Sequence, residues 1–257
     1  MLEILYQDDL LVAVHKPSGL LVHRSMLDRH ETRFALQMVR DQTGRRVFTV
    51  HRLDKGTSGL LLFAFERSIA AALANAFEQR EVGKRYLAIV RGHPAESGTI
   101  DHPLIRRDEE AGSAGGEGPL QAAVTHFRRL ETYTVPVCVD RYPTSRYALL
   151  ELEPETGRRH QIRRHLKHIS HPIIGDSTWG KGRHNRMIAV RHGSARMLLA
   201  STALDFRHPA DGRALHIECP VAADFQQVLD GLRRESPLSA VIDSRHNEGP
   251  IHRRQDD

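Results

Sequence analysis

Cysteine is scarce: Cys138 and Cys219 are the two thiols in 257 residues. Two cannot build a disulfide framework, and a reducing compartment is the expected setting. Long apolar runs are missing too, with nothing approaching the roughly 18 consecutive residues that a membrane-crossing helix needs. The first residues, MLEILYQDDLLVAVHKP, carry acids where a secretory leader would have a basic start and an apolar core. A cytoplasmic location without membrane contact is therefore expected. No internal repeat is visible. One further scarcity is local: between Arg158 and Arg186 there are eight Lys/Arg and a single acid, Asp176. That segment carries +7 against +5 for the whole chain, so the remainder is slightly acidic. A concentrated basic patch suits a polyphosphate partner, because each neutralised phosphate releases condensed counterions. A solvated basic face explains the charge equally well.

Several catalytic signatures are incomplete, and each gap excludes a chemistry. Gly56-Thr57-Ser58-Gly59 starts like a nucleophile elbow, which needs glycine at position 60, where Leu60 stands. Gly175-Asp176-Ser177-Thr178-Trp179-Gly180-Lys181 matches seven positions of a phosphate-binding loop. The eighth, which would hold magnesium through a hydroxyl, is Gly182. The residues after it, RHNRM, do not read as a helix. His160, His165, His168 and His171 cluster without the cysteines, spaced acids or His-Glu-x-x-His of zinc sites, so they read as surface or nucleic-acid-facing histidines. No glycine-rich dinucleotide fingerprint follows a strand. Neither a metal nor a cofactor is expected.

What is present is an ordinary globular composition, 40% hydrophobic and 27% charged, long enough for one large domain. Apolar runs predict strands at 9–14, 47–50, 60–65, 86–90, 123–130, 147–152, 197–200 and 215–217. Helical spacing joins Phe34, Met38 and Val39 before Gly44, and Ile69, Leu73, Ala76 and Phe77 before Gly83. A third helix opens at Pro154-Glu155-Thr156-Gly157, carries Ile162, Leu166 and Ile169 as its apolar stripe, and stops at Pro172; a last one spans 221–232. Strands outnumber helices without strict alternation, which fits an α+β domain with a mixed sheet. Residues 106–119, RRDEEAGSAGGEGP, have almost nothing to bury and read as a loop or flexible insertion. Residues 1–235 read as one domain, and 236–257 as a polar, disordered tail.

One acid stands out. His51-Arg52-Leu53-Asp54-Lys55-Gly56-Thr57-Ser58-Gly59 places Asp54 between two bases, just before the apolar run Leu60–Phe65. In isolation such a residue makes an Asx-type turn or a surface ion pair. Cations turned towards it would favour its charged form as nucleophile or base, and a buried strand behind it would fix its aim. The third helix offers partners: Arg159, Arg163 and Lys167 recur at i, i+4 and i+8, a basic stripe beside the apolar one.

Residues 51–62 resemble the signature of the RluA-type pseudouridine synthases, His-Arg-Leu-Asp followed by Thr-Ser-Gly. Lys84–Val90 (KRYLAIV) is similar to the family's second motif, Thr156–Arg163 (TGRRHQIR) to its third, and His171–Asp176 (HPIIGD) to the segment that follows. The likeness runs from about Leu2 to Ile217, with two departures: Lys55 stands where Arg is common, and Ala200-Ser201 where His-Ala is frequent. The resemblance implies a single catalytic domain with a central mixed, mostly antiparallel sheet flanked by helices and loops. It implies a monomer that isomerises uridine to pseudouridine in structured RNA without a cofactor. Asp54 would be the catalytic aspartate, attacking or deprotonating the ribose so that the glycosidic bond breaks and the uracil rejoins through C5. Arg163 would orient Asp54, Tyr86 would stack on the base, Leu199 would line its pocket, Arg52 would replace the flipped nucleotide and Arg159 would grip phosphate. Flipping is needed because a base inside a stack cannot be reached. The segments MLEILYQDD, LVAVHKPSG, LVHRS and RYPTSRY look most like the branch of the family that acts on uridine 65 of tRNA. A 23S ribosomal uridine and a non-catalytic RNA-binding module are the alternatives. A phosphate-ester hydrolase ranks last, because Gly56 stands where Asp-x-Asp needs its second acid.

Overall fold

The computed structural model of the chain describes residues 1–24, 31–106 and 118–236. The insertion and tail expected from the sequence lie almost wholly outside the described residues. The chain opens with strands β1 (Glu3–Gln7) and β2 (Leu11–Lys16), then α1 (Ala35–Thr43), β3 (Phe48–Thr49), β4 (Ser58–Ala64) and α2 (Arg67–Glu78). A run of strands follows: β5 (Gly83–Arg91), β6 (Ser97–Asp101), β7 (Leu104–Ile105), β8 (Leu120–Gln121), β9 (Val124–Val135) and β10 (Ser145–Pro154). Next come α3 (Gln161–His168), α4 (Gly182–His192), β11 (Leu199–Arg207), β12 (Ala214–Glu218) and α5 (Ala223–Glu235). A 10-stranded sheet has the order β1-β2-β4-β11-β5-β10-β9-β6, with β12 added to β11 and β3 to β4. Its pairs are antiparallel except β11 with β4. This is the mixed, mostly antiparallel α+β sheet that the sequence implied.

Helices cover both faces of the sheet, which is why β4 is buried at every position. Leu60 and Leu62 pack with Leu73 of α2, whereas Leu61 and Phe63 pack with Val39 of α1. Across the sheet, Ile89 and Leu149 meet Ile188 of α4 and Phe225 of α5, while Ala88 and Leu150 meet Ile162 and Leu166 of α3. Each leucine so buried contributes about 1.5–3 kcal/mol. The two halves join at a narrow seam: β4 and β11 share the pairs Ala200↔Ser58 and Ser201↔Gly59. Gly59 has φ 107, and a Cβ there would stand 2.0 Å from the Ser201 carbonyl oxygen. A side chain at position 59 would force the seam apart.

Some elements differ from the sequence expectation. RHNRM lies inside α4, whose buried residues His184 and Ile188 are hidden in a run of cations that gives no apolar stripe. The third helix ends at His168 rather than at Pro172, because Ser170 takes a left-handed φ of 65. Strands β1 and β6 were not anticipated; both are largely exposed edge elements and lack a buried apolar pattern. Among the described residues no helix is long and apolar enough to cross a membrane.

Candidate active site

The loop carrying Asp54 leaves β3 and enters β4 at the seam, and buried polar groups hold it there. His51 Nε2 accepts the Leu62 N–H at 3.1 Å, and its ring stacks on Phe77 at 4.7 Å. Burial pushes this imidazole down to about 4, so it stays neutral and able to accept. The Thr57 N–H closes a turn on the Asp54 carbonyl at 3.0 Å. Beneath the loop, Lys16 is fully buried and donates to the carbonyls of Pro17, Leu20 and Lys55 at 3.0, 2.7 and 3.2 Å. Burial pushes the Lys16 ammonium down to about 7, while three carbonyls accept its three N–H groups. Sequence reading gave Lys16 no task, because its partners become neighbours only in the folded chain.

Arg163, in the first turn of α3 and only 8% exposed, divides its guanidinium between two carboxylates. Its Nε and Nη2 donate to Asp176 Oδ2 and Oδ1 at 2.6 and 2.9 Å, a bidentate pair. Its Nη1 donates to Asp54 Oδ2 at 3.0 Å. Asp176 also accepts the N–H groups of Thr178 and Trp179, both at 2.9 Å. Burial opposes its charge, but Arg163 and these backbone donors outweigh that and hold its carboxyl below the usual value. The sequence reading missed this second acid as a site residue. Its signal was present: Asp176 is the single acid between Arg158 and Arg186.

α3 starts where it does because Gln161 is tied down. Its Oε1 accepts from the Thr156 hydroxyl and the Arg158 N–H, and its Nε2 donates to the Val124 carbonyl at 2.9 Å. The expected basic stripe is not one solvent face. Arg159 lies in the turn before the helix, Arg163 is buried, and Lys167 is exposed beside the Trp179 ring at 5.0 Å. Nor are the clustered histidines alike. His165 is buried between the Thr125 hydroxyl and the His102 carbonyl, a structural role the surface reading did not foresee. His168 stacks on His102 at 3.8 Å, and His160 sits 3.8 Å from Asp54 Oδ2.

These groups surround a cavity of about 420 Å³ whose lining includes Arg52, Asp54, Tyr86, Arg159, Arg163 and Leu199. All six residues singled out from the sequence therefore meet at one hollow. Leu53, Ile162 and Leu199 give it an apolar floor. The Tyr86 phenol is pushed up to about 12 by burial and by the nearby Asp54 charge, and remains protonated. A second hollow of about 560 Å³ shares Arg52, Asp54, Arg159 and Arg163 and continues past Asp176. Among the described residues, no group of three or more His, Cys, Asp or Glu could hold a metal ion.

A carboxylate aimed by a buried guanidinium beside a flat aromatic and an apolar floor can act on a sugar whose planar base is held in the hollow. The sequence profile described as RNA pseudouridylate synthase matches residues 10–168. The chain belongs to the RNA pseudouridylate synthase family. It is 49% identical over 243 residues to the tRNA pseudouridine synthase C of Yersinia pestis, covering 94% of this chain and 93% of that one. It is 50% identical over 231 residues to the protein of the same name from Pasteurella multocida, covering 89% and 94%. The solved human RNA pseudouridylate synthase domain containing 4 matches with a TM-score of 0.66 and 26% identity, over 90% of this chain and 93% of that one. The enzyme is thus an RNA pseudouridine synthase, an isomerase that converts uridine to pseudouridine in RNA.

Proposed function

We propose that this synthase acts on uridine 65 of tRNA, with Asp54 as its catalytic carboxylate and the target nucleotide flipped into the hollow beside Tyr86. The observation that carries the reading is the shared guanidinium: Arg163 is locked by buried Asp176 and presents its remaining edge to Asp54 at 3.0 Å. An aimed carboxylate needs such support, since a rate gained by orientation is lost when the reacting group swings. Asp54 either adds to C1′ of the ribose or takes the C2′ proton, and the N1–C1′ bond breaks. The uracil turns in the pocket and C5 bonds to C1′, as Asp54 leaves C1′ on the first route or returns the proton to C2′ on the second; the C5 proton leaves and N1 gains a proton, so no redox partner is required. Tyr86 supplies a stacking face and Leu199 an apolar wall, while Arg52 and Arg159 at the rim suit the displaced stack and its phosphates. The choice of tRNA follows the relatives named tRNA pseudouridine synthase C, and position 65 follows the resemblance of the N-terminal and RYPTSRY segments.

Two experiments test this. Tritium release from 5-tritiated uridine in tRNA is expected from the parent protein and not from Asp54→Asn, with tRNA binding retained by both. Carbodiimide-blocked primer extension on RNA from cells with and without the gene should show loss of the mark at tRNA position 65. Loss of a 23S ribosomal mark with tRNA untouched would overturn the substrate choice and leave the chemistry standing.

A further inference from the structure

The turn after α3 reaches Asp54 by two routes. Asp176 acts through Arg163. From the same turn, the Trp179 indole Nε1–H donates to His160 Nδ1 at 3.3 Å, and His160 Nε2 faces Asp54 Oδ2 at 3.8 Å. An indole nitrogen can only donate, so the nitrogen it meets must carry the lone pair. A neutral imidazole then holds its proton on the other nitrogen, the one facing Asp54. His160 also has φ 54, a left-handed backbone that costs a residue with a side chain energy unless its surroundings impose it. That conformation, just ahead of α3, brings the ring 3.8 Å from the carboxylate. Among the described residues, both polar contacts to the Asp54 carboxylate fall on Oδ2.

We propose that Trp179 is a positioning residue for the reaction: it sets the His160 tautomer, so that Arg163 and His160 together occupy Asp54 Oδ2 and leave Oδ1 for the ribose. This rests on the assignment of Asp54 as the catalytic carboxylate. The 3.8 Å separation shortens to a hydrogen bond when RNA fills the hollow, as active-site contacts commonly do on substrate binding. Trp179 also lies near cations, with Lys167 at 5.0 Å and Arg164 at 5.9 Å from its ring. Replacement by Phe keeps a smaller ring for those contacts and removes the N–H.

Asp54 faces His160 from the loop before β4, Arg163 from α3, Arg159 from the preceding turn and Asp176 from the turn beyond; the carboxylates favour its protonation, while burial and the guanidiniums oppose it. Removing the indole N–H frees Nδ1 to take a proton. Trp179→Phe should therefore lower kcat on full-length tRNA about tenfold, with KM within twofold, and move the acid limb of the kcat profile to higher pH. His160→Asn, a residue that tolerates the left-handed backbone, should also lower kcat, and the double variant should be no slower than His160→Asn alone. Independently of how the variants fold, nitrogen-15 histidine spectra of the parent, with the His160 signals identified by their loss in His160→Asn, should show the proton on Nε2 at pH 7.5. Losses that multiply, an unmoved pH profile, a rise in KM alone, or a proton on Nδ1 would each overturn the proposal. Asp54→Asn separates this from the underlying reading: an inactive Asp54→Asn beside an unimpaired Trp179→Phe rejects only the positioning role, whereas an active Asp54→Asn rejects both.

Discussion

Two clusters of the same four residue types lie along β5, one near its middle and one at its last residue. Near Tyr86 lie Asp54, His160 and Arg163; near Arg91 lie Asp140, Tyr147 and His184. Tyr86 and Arg91 are five residues apart on the strand, about 17 Å. At the Arg91 end the groups satisfy one another. The Tyr147 hydroxyl bonds His184 Nδ1 at 2.8 Å, His184 Nε2 meets Asp140 Oδ2 at 3.0 Å, and Arg91 donates to the same oxygen at 3.2 Å. Arg183 lies 3.5 Å from the other Asp140 oxygen, so both are engaged. Near Tyr86 Asp54 keeps one oxygen without a described hydrogen bond, because the acid that saturates Arg163 is a different residue, Asp176. The hollow there has an apolar floor of Leu53, Ile162 and Leu199, whereas the hollow beside Asp140 is walled by Pro143, Thr144, Ser145, Ser170 and His171. Residue types alone do not distinguish the two clusters. The spare oxygen and the apolar floor do, and they support the catalytic role proposed for Asp54.

The comparison breaks most sharply on its two acids. Asp54→Asn should lower pseudouridine formation at least about a thousandfold, and Asp140→Asn should leave it near the parental rate, both read by tritium release. An Asp140→Asn enzyme as dead as Asp54→Asn would erase the distinction. Next, Asp176→Ala strands a buried guanidinium and should cost about 3–5 kcal/mol, seen as a lower urea midpoint, with activity lost as well. Removing the stacking face by Tyr86→Ala should cost about 1–3 kcal/mol of substrate stabilisation, read as kcat/KM. Acid should also weaken the fold through its buried imidazoles. His51 is held down to about 4, so below pH 6.5 the unfolded chain binds a proton that the folded chain refuses. Stability then falls as pH falls, by about 2 kcal/mol from this group at pH 5, and a Tm flat between pH 7 and 5 would contradict it. The smallest effect is expected at the far cluster: His184→Phe should lose about 1 kcal/mol of stability with the Tyr147 bond and leave kcat unchanged.

Much of the frame was readable from local pattern. The run at 60–65 proved to be the doubly covered β4, and Ile162 and Leu166 did form the buried face of α3. Legibility failed where the signal is not local. α4 is written in cations because its buried face is narrow, and β1 and β6 are short edge strands, the first with no fully buried residue and the second with one. The expected stripe at Arg159, Arg163 and Lys167 dissolved because a helix period cannot tell a guanidinium facing water from one facing a buried acid.

From residue order alone came the strand run behind Asp54, the apolar stripe of α3 and the motifs that carry the family resemblance. Each depends on neighbours within a few turns or strands, where period and composition are sufficient. Folding decided which cation serves which acid. Asp54 and Arg163 are 109 residues apart, and Lys16 and Lys55 are 39. Such pairings follow from the Gly59–Ser201 seam that joins the two halves of the sheet, and the choice of Asp176 over Asp54 as the bidentate partner follows from burial. A charge removed from water must be fully paired, so the guanidinium gives two donors to the acid that water cannot reach and one to the acid that, in the proposed reaction, meets the substrate.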